Sequence, residues 1–344
     1  MKKQNFLLII MILLALLIIS MIISTGVGTA AISPRQILEI LLGGIPLFED
    51  FFASTVSRTQ ELIILQVRLP RLMTGLLVGS ALAMSGTTYQ GLFKNPMADP
   101  FILGVSSGAG LGAAISIVLR ANFPLGLWTT PLLAFIGGIL TTALVFSLAK
   151  TGNKVPVTTL LLAGIATSSF LSAITSFIMV IFTEDMHQIV FWLMGGLGNR
   201  NWSHILSVLP YILVGSAVIF VYSRDLNIML LGEETAHHLG VDVERLKIIL
   251  LIAASMIASA AVSISGIIGF VGLIIPHMMR MIVGPDHRFL YPSTAIFGGT
   301  FLILMDTLAR RIIAPGELPV GIITSFFGAP FFIYLLKKKK KTIF

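Results

Sequence analysis

The densest group of ionisable side chains in this sequence lies between Gly232 and Lys247, in the stretch GEETAHHLGVDVERLK. Six of its sixteen residues are charged and two more are histidines, although only 11% of the chain is charged. Long apolar runs flank the stretch on both sides, which indicates that it lies at a membrane surface. Ion pairing and hydrogen bonding, within the stretch or with a partner, are the chemistry that this composition favours.

The same stretch predicts a helix, a stop and a second helix. Glu233 and Glu234 stand where a helix N-terminus favours negative charge, and Gly240 stands where a left-handed residue ends a helix. Asp242 can then cap a second helix that runs into the next apolar segment. Helices held in this way form a rigid knob that can transmit force, although a solvated turn between two spans explains the same residues.

The composition of the chain places it in a membrane. Of 344 residues, 56% are hydrophobic, the mean hydropathy is +0.97, and there is no cysteine to form a disulfide or a thiolate site. The net charge of +8 indicates topology and lipid contact rather than nucleic acid. A spanning helix needs about 20 apolar residues.

Ten segments qualify as spans: 6–23, 69–92, 101–119, 128–150, 156–182, 203–222, 246–265, 268–283, 291–311 and 320–336. We therefore predict an all-α, polytopic protein of the cell membrane. Residues 1–344 would form one transmembrane domain, and both termini would lie in the cytoplasm. The knob, residues 232–247, would then lie on the cytoplasmic side.

Charge placement supports this topology. Fifteen Lys and Arg residues fall inside and eight outside, in line with the positive-inside tendency, and all eleven lysines fall inside. Every outside cation is an arginine, whose planar guanidinium can hold a carboxylate through two bonds. An acidic protein partner would suit such a face, with Arg68, Arg71 and Arg310 as candidate docking residues. Headgroup contact and local pairing are the alternative.

A row of hydroxyl side chains marks the fifth apolar segment. Its members are Thr167, Ser168, Ser172, Thr175 and Ser176. Hydroxyls in helices usually bond the backbone carbonyl four residues earlier, so packing is one explanation of the row. Lining of a transport pathway is the other.

Few other residues suggest chemistry within the spans. Asp306 and Arg310 lie four apart, which favours an ion pair on one helix and competes with a docking role for Arg310. His187 lies beside Glu184 and Asp185, but nothing at fixed spacing completes a metal site, and no cofactor is expected.

The run GVSSGAGLG lacks the Gly-Lys-Ser/Thr of a nucleotide cradle and instead allows close helix packing. The chain is therefore not predicted to be an enzyme, and any ATP hydrolysis must come from a separate subunit.

Three further stretches carry a family resemblance. RLPR…GLFKNPMADPFILGVSSGAG, GFVGLIIPHMMR and ELPVGIITSFFGAPFFIYLL, together with the knob, resemble the FecCD family. These are permeases of type II ABC importers for iron–siderophores, haem and cobalamin. The resemblance covers nearly the whole chain from Arg68 onward. Within it, Glu234-Thr235-Ala236 followed by Gly240 resembles the EAA---G loop by which importer permeases grip their ATPase.

The resemblance implies a ten-helix subunit that works as a dimer of identical or different chains. P-loop ATPase subunits would dock from the cytoplasm, and the coupling residues would be Glu233, Glu234, Ala236, Gly240 and Asp242. A substrate-binding protein or lipoprotein would dock from outside, and the fifth helix would border the translocation path. The implied function is import of an iron–siderophore complex by alternating access, with haem or cobalamin as alternative cargo.

Two further points bear on this interpretation. Ala81–Gly86 (ALAMSG) is similar to Ala261–Gly266 (AVSISG), 180 positions later, and opposite directions of the two copies would make an inverted repeat. A secondary transporter is the alternative from another class. It would need several embedded carboxylates to couple ions, and Asp306 is the single deep acidic candidate in the sequence.

Overall fold

The structure, a computed structural model, describes residues 3–28, 32–43, 56–119, 128–152 and 155–340. Fifteen α-helices account for most of this part of the chain. They are α1 (Lys3–Gly26), α2 (Pro34–Gly43), α3 (Arg58–Leu62), α4 (Leu69–Leu92), α5 (Val105–Leu119), α6 (Thr129–Ala149), α7 (Val157–Ile181), α8 (Met186–Leu193), α9 (Trp202–Val221), α10 (Ser223–Leu230), α11 (Glu233–His238), α12 (Val243–Ser265), α13 (Val271–Val283), α14 (His287–Ile312) and α15 (Val320–Lys340). A π-helical stretch, Ile63–Arg68, joins α3 to α4, and a 3-10 turn, Pro100–Leu103, precedes α5.

The ten predicted spans correspond to ten helical segments. Seven are long and apolar enough to cross a membrane, and three shorter apolar helices, α5, α13 and α15, complete the set within the described ranges. The chain is therefore an all-α, multi-pass membrane protein. The third span starts later than predicted, at Val105, because Gly104 has a φ of +80° and ends the preceding 3-10 turn.

Contacts between helix ends define one face of the bundle. The Arg68 guanidinium, just before α4, donates to the Thr25 carbonyl near the end of α1. The Arg310 guanidinium, near the end of α14, donates to the Val27 carbonyl at 2.7 Å. The ends of α1 and α14 therefore lie together with the start of α4. We call this end of the bundle the arginine face.

The opposite end carries α10 and α11, and we call it the knob face. There Phe6 of α1 packs on Phe289 of α14, with ring centroids 4.6 Å apart. The Asn227 amide of α10 donates to Asp286, the residue before α14, at 2.7 Å. Helix α15 starts near the arginine face and has 21 residues, enough at about 1.5 Å per residue to reach the knob face. The start of α1 and the end of α15 thus lie at one face, and its assignment to the cytoplasm stays a prediction.

Helix α4 lies at the centre of the bundle, where most of its residues are buried. Glycines let it approach its neighbours closely. A Cβ at Gly79 would overlap the backbone carbonyl of Gly298 on α14, and one at Gly86 would overlap that of Gly272 on α13. In the same way, Gly108 of α5 lies against the backbone of α6. The glycine runs therefore serve helix packing, as predicted.

The last part of α4 carries four consecutive buried polar residues, which bond to three different helices. The pairs are Thr87 with Thr294 (3.3 Å) and Thr88 with Tyr291 (3.1 Å) on α14, Tyr89 with Ser255 on α12 (2.6 Å), and the Gln90 amide with the Leu273 carbonyl on α13 (3.0 Å). A buried polar group that loses its partner costs about 1–3 kcal/mol. These bonds therefore fix the rotation of α4 relative to all three neighbours.

The two similar hexapeptides run in opposite directions through the bundle. Ala81–Gly86 lies in α4, which starts at the arginine face, and Ala261–Ser265 forms the end of α12, which starts at the knob face, with Gly266 as its C-cap. This is the direction that an inverted repeat requires. The repeat itself stays a prediction.

We predict that Gly86→Ala destabilises the protein, because the added methyl group would overlap the Gly272 backbone, which cannot move aside as a flexible side chain can. Overpacking of this kind costs about 1–3 kcal/mol. Gly26→Ala is the matched control, since a Cβ added there in α1 meets nothing within 4 Å. Thermal unfolding of the purified variants in detergent measures the difference, and equal midpoints would contradict the packing role of Gly86.

Candidate functional site

The first helix of the knob ends as its sequence predicts. The Val241 amide donates to the Ala236 carbonyl at 2.9 Å and the Gly240 amide to the His237 carbonyl at 3.0 Å, which together form a Schellman motif. Gly240 has a φ of +86°, and a Cβ added there would meet nothing within 4 Å. Glycine is therefore needed at position 240 for the left-handed backbone conformation and not for close packing. The predicted helix stop is confirmed.

The second helix also begins where predicted. Asp242 Oδ1 accepts a hydrogen bond from the Arg245 amide at 3.1 Å, which caps α12. From this cap α12 continues without a break to Ser265. The short helix α11 is thus joined by one tight turn to a spanning helix, so any displacement of the knob acts directly on the end of that span.

Lys247 fixes the position of α11 on the rest of the molecule. Its side chain is buried, and Nζ lies 2.9 Å from a Glu233 oxygen and 3.1 Å from a Glu244 oxygen. The other Glu244 oxygen accepts from the Val155 amide, just before α7, at 3.1 Å. We call this arrangement the Lys247 clamp. It was not identified from the sequence, although the spacing of Glu244 and Lys247 is typical of a helical ion pair.

The residues predicted to couple to an ATPase divide into internal and external ones. Those that serve the knob's own structure are Glu233, Ala236, Gly240 and Asp242. Glu234 is exposed, and the nearby Leu231 and Leu239 are 70% and 59% exposed. The exposed surface of the knob therefore includes the Glu234 carboxylate, the two leucines and the imidazoles of His237 and His238, with the exposed Glu233 and Asp242 beside them. Such a surface fits a groove with apolar walls and a basic group.

At the arginine face, Asp306 binds two arginines at once. Arg71 Nε and Nη2 each lie 2.9 Å from a different Asp306 oxygen, and Arg310 Nε lies 3.2 Å from Oδ2. Asp306 is only 3% exposed, so these charges are buried together. Arg71 Nη1 also bonds Glu317, half of whose side chain is exposed, at 2.9 Å. The predicted Asp306–Arg310 pair is confirmed, whereas the Arg71–Asp306 pair joins residues 235 positions apart and has no local sequence signal.

Groups at the end of α1 accept further hydrogen bonds from the guanidinium groups of Arg310 and Arg68. Arg310 Nη1 donates to the Val27 carbonyl and Nη2 to Ser24 Oγ, both at 2.7 Å. Arg68 is buried and donates to the Thr25 carbonyl. All three arginines predicted to dock a partner are therefore already bound within the chain. A partner carboxylate would have to add to these bonds or displace one of them, and the docking role stays a prediction.

Two cavities adjoin this network. One, of about 300 Å³, is lined by Arg68, Arg71, Arg310, Arg311 and Glu317. The other, of about 430 Å³, shares Arg71 and Glu317 and contains Arg200, whose pKa is lowered by burial. Arginines outnumber carboxylates four to one in the lining of the smaller cavity, whereas the larger cavity has two of each, so the positive surface lies at the smaller cavity. It can accept the carboxylate of an approaching molecule.

The hydroxyl row of α7 is divided between packing and exposure. Thr167 and Thr175 are buried, and Thr175 bonds the Leu171 carbonyl at 2.9 Å. The Ser176 hydroxyl bonds the Ser172 carbonyl at 2.9 Å. Bonding to the preceding turn therefore accounts for two of the predicted residues.

Three serines nevertheless share the exposed side of α7. They are Ser169, Ser172 and Ser176, whereas Ser168 is half-buried. Ser169 was not in the predicted row, although its spacing of three from Ser172 places both on one helix face. The exposed serines form a weakly polar strip on an otherwise apolar helix.

Metal binding finds no support in the described part of the chain. No three His, Asp or Glu side chains there are arranged to hold an ion. His187, the candidate considered from the sequence, stacks on Phe191 with ring centroids 4.5 Å apart.

Known proteins are similar in sequence to this chain over most of its length. The sequence profile of the FecCD transport family matches residues 16–338. The chain is 43% identical over 324 residues to the cobalamin import system permease protein of Halobacterium salinarum, covering 92% of this chain and 86% of that protein. It is 40% identical over 297 residues to the hemin transport system permease protein of Yersinia pestis, covering 86% and 89%. It is 36% identical over 336 residues to an Fe(3+)-citrate import system permease protein of Bacillus subtilis, covering 98% and 96%.

A solved structure agrees with these sequence matches. It is an inward-facing conformation assigned to a metal-chelate type ABC transporter, and it superimposes with a TM-score of 0.83 at 35% identity. The superposition covers 96% of this chain and 99% of that one. The helix arrangement is therefore that of an ABC transporter permease.

We predict that Asp306→Asn destabilises the protein strongly, because Arg310 would lose its carboxylate partner and Arg71 would keep only the half-exposed Glu317. Removing one partner from a buried ion pair costs about 3–5 kcal/mol. Glu317→Gln removes the same charge from a half-exposed partner of Arg71 and should cost only about 0–1 kcal/mol. Thermal unfolding in detergent compares the two, and similar losses would show that Asp306 does not organise the network.

Proposed function

This chain belongs to the FecCD transport family, and on that premise we propose that it imports an iron–siderophore complex as the permease subunit of an ABC importer. The permease role follows from the family and from relatives matched over most of their length. The iron chelate is inferred from what those relatives are named for, namely cobalamin, hemin and ferric citrate, each of which is a metal complex. Haem and cobalamin are the alternative cargoes.

The knob is the observation that carries the transport mechanism. Its outer surface, with Glu234 between two exposed leucines, would insert into a groove of a P-loop ATPase subunit on the cytoplasmic side. The Lys247 clamp and the tight turn into α12 make the knob stiff, so it would move as a unit when ATP closes the two ATPases. Movement of α12 would then change which side of the membrane the central path faces. ATP hydrolysis belongs to the separate subunit.

A second permease subunit would complete the path. The exposed strip of Ser169, Ser172 and Ser176 on α7 supports this, because hydroxyls suit a wetted pathway better than contact with lipid chains. An iron chelate is large and polar, and a path lined by serines offers hydrogen bonds without a charge that would trap it. The dimer can consist of identical or different chains.

The arginine face would receive an extracytoplasmic substrate-binding protein. Arg68, Arg71 and Arg310 are held from within the chain, and Glu317 is the most exposed of their partners. We therefore place the docking event at Glu317: a carboxylate of the binding protein exchanges with it on Arg71 and contacts the exposed Arg311 nearby. Such rim contacts steer the encounter and fix orientation more than they add affinity.

A secondary transporter is the less favoured alternative. Ion coupling needs a buried carboxylate that can bind and release a cation or proton. Asp306 is buried but is already bound by Arg71 and Arg310. Its charge is therefore used for structure.

Purification of the intact complex from cells tests the cargo. Its binding protein should carry an iron chelate, recognised by iron content and by the mass of the released ligand. A corrin or a porphyrin in its place would move the assignment to cobalamin or haem. Transport that continues without any ATPase subunit would overturn the importer assignment as a whole.

We predict that Glu234→Arg weakens association with the ATPase about tenfold, equivalent to about 1.4 kcal/mol, because it reverses an exposed charge on the outer surface of the knob. Gly240→Val should have a similar effect, since a β-branched residue in the left-handed region costs about 1–2 kcal/mol. Co-purification of the tagged permease with its ATPase measures both effects.

Two matched variants control this experiment. Glu184→Arg makes the same charge reversal on an exposed residue after α7, at the opposite face. Gly240→Asn keeps a residue that tolerates the left-handed conformation. Both should retain the ATPase, and normal retention by Glu234→Arg and Gly240→Val as well would exclude the knob as the contact.

We predict that Arg311→Glu weakens association of the binding protein about tenfold at low salt and less at high salt, because the lost interaction is exposed and screened. Glu317→Gln should tighten association, since it frees Arg71 Nη1 for the partner carboxylate. The affinity of each variant is measured by titrating the surface-immobilised complex with binding protein at a low and a high salt concentration. Arg58→Glu, an exposed arginine of α3, is the charge-matched control. The docking proposal fails if Arg311→Glu and Arg58→Glu behave alike.

A further inference from the structure

A third polar cavity lies at the knob face, away from the knob itself. It has a volume of about 380 Å³ and lies between the ends of α4 and α10, helix α13 and the start of α14. Its lining includes Gln90, Lys94, His277, Arg280, Met281 and His287. Two cations and two imidazoles thus line the cavity, and none of its described lining residues is a carboxylate. Its volume falls in the range of about 300–1,000 Å³ that is typical of ligand sites.

Arg280 supplies the central charge of this cavity. It is half-buried, and its Nη1 donates to Gln90 Oε1 at 3.0 Å. No carboxylate in the described ranges lies within ion-pair distance of it. A guanidinium has five N–H donors, so this single bond to Gln90 leaves most of its hydrogen-bonding capacity for a ligand.

Lys94 stands at the mouth of the same cavity. Its side chain is exposed, and its φ of +47° puts it in the left-handed region, which is uncommon for a lysine. The turn that imposes this conformation follows directly on α4, where the Lys94 amide donates to the Gly91 carbonyl at 3.2 Å. Lys94 thus lines the same cavity as Arg280 at a position where glycine or asparagine would be less strained.

His287 contributes an unsatisfied atom. The residue is 1% exposed, its Nδ1 lies 2.7 Å from Asn227 Oδ1, and its Nε2 has no hydrogen-bond partner. Asn227 donates its amide to Asp286, which fixes Oδ1 toward His287 and makes Nδ1 the donor. Nε2 of the neutral ring is therefore an acceptor without a donor, a condition that is rare for buried polar groups.

The nearest acid does not neutralise the cavity. Asp286 is bound by Arg288, whose hydrogen bonds lower the pKa of that carboxyl to about 2. Its charge is thus matched by Arg288 outside the lining. Arg280 and Lys94 keep their positive charge toward the cavity.

We propose that this cavity binds a phosphate group, supplied either by inorganic phosphate or by the headgroup of an anionic phospholipid. Phosphate oxygens accept hydrogen bonds from Arg280 and Lys94. A phosphate hydroxyl, or a headgroup hydroxyl such as that of phosphatidylglycerol, donates to His287 Nε2. Met281, 63% exposed at the cavity rim, would contact the start of a lipid chain. The site is independent of the knob and of the arginine face.

Two probes test the proposal on the purified full-length chain. In detergent, inorganic phosphate is titrated against chloride at equal ionic strength, and the rise in the thermal midpoint gives the affinity. In a second arm, the protein is placed in nanodiscs of phosphatidylglycerol and phosphatidylcholine, and native mass spectrometry counts the phosphatidylglycerol retained on release. A response to phosphate identifies free phosphate as the ligand, and selective retention identifies the lipid headgroup.

Matched variants decide whether either response belongs to this cavity. Arg280→Gln and Lys94→Gln should each lower the response at least about tenfold, by loss of a charge-assisted bond. Arg224→Gln, an exposed cation on α10 of the same face, should leave it unchanged. Should Arg280→Gln fail to fold, the exposed Lys94 still provides the test. The proposal is overturned if neither probe binds, or if all three variants respond as the parent does.

Discussion

The close packing of α4 against its neighbours is the constraint on which the rest of this structure depends. At Gly79 and Gly86 the backbone of α4 touches the backbones of α14 and α13, with no side chain between them that could yield. The same helix begins beside Arg71 of the buried charge network and ends at Gln90, which binds Arg280. Because protein interiors pack densely, helices that are in such close contact move as one unit. A rigid central group of helices therefore connects the two faces, whereas α1 and α7, whose hydrophobic stretches are only 11% and 17% buried, are packed less closely.

The same arrangement holds side chains in position at each face: one buried charged side chain lies between two side chains of opposite charge. At the knob face, Lys247 lies between Glu233 and Glu244. At the arginine face, Asp306 lies between Arg71 and Arg310. Buried charges are tolerated only with several partners in good geometry. Because ion pairs and hydrogen bonds are directional, these two clusters restrict the position of the exposed surface at each face more than apolar contacts alone would.

The sequence predicted what local chemistry determines and missed what distant residues determine. The helix stop at Gly240 and the cap at Asp242 follow from propensities that act over a few residues, and both are confirmed. The ten spans follow from hydropathy, except that the left-handed Gly104 shortens the third. By contrast, Arg71 meets Asp306 only because α4 and α14 pack side by side, a contact that no local sequence pattern predicts. The hydroxyl row on α7 was likewise predicted as one set, although helix rotation buries Thr167 and exposes Ser172.

The Lys247 clamp also bears on the order in which the molecule can be assembled. Helix α11 has six residues, too few to form a stable helix in isolation. Its position depends on Glu244 and Lys247 of α12 and, through Glu244, on the Val155 amide ahead of α7. The knob can therefore take its final shape only after α7 and α12 have entered the membrane and met. A half-inserted chain would present no finished knob, so recruitment of a partner to this surface would itself report that the spans on either side are correctly in place.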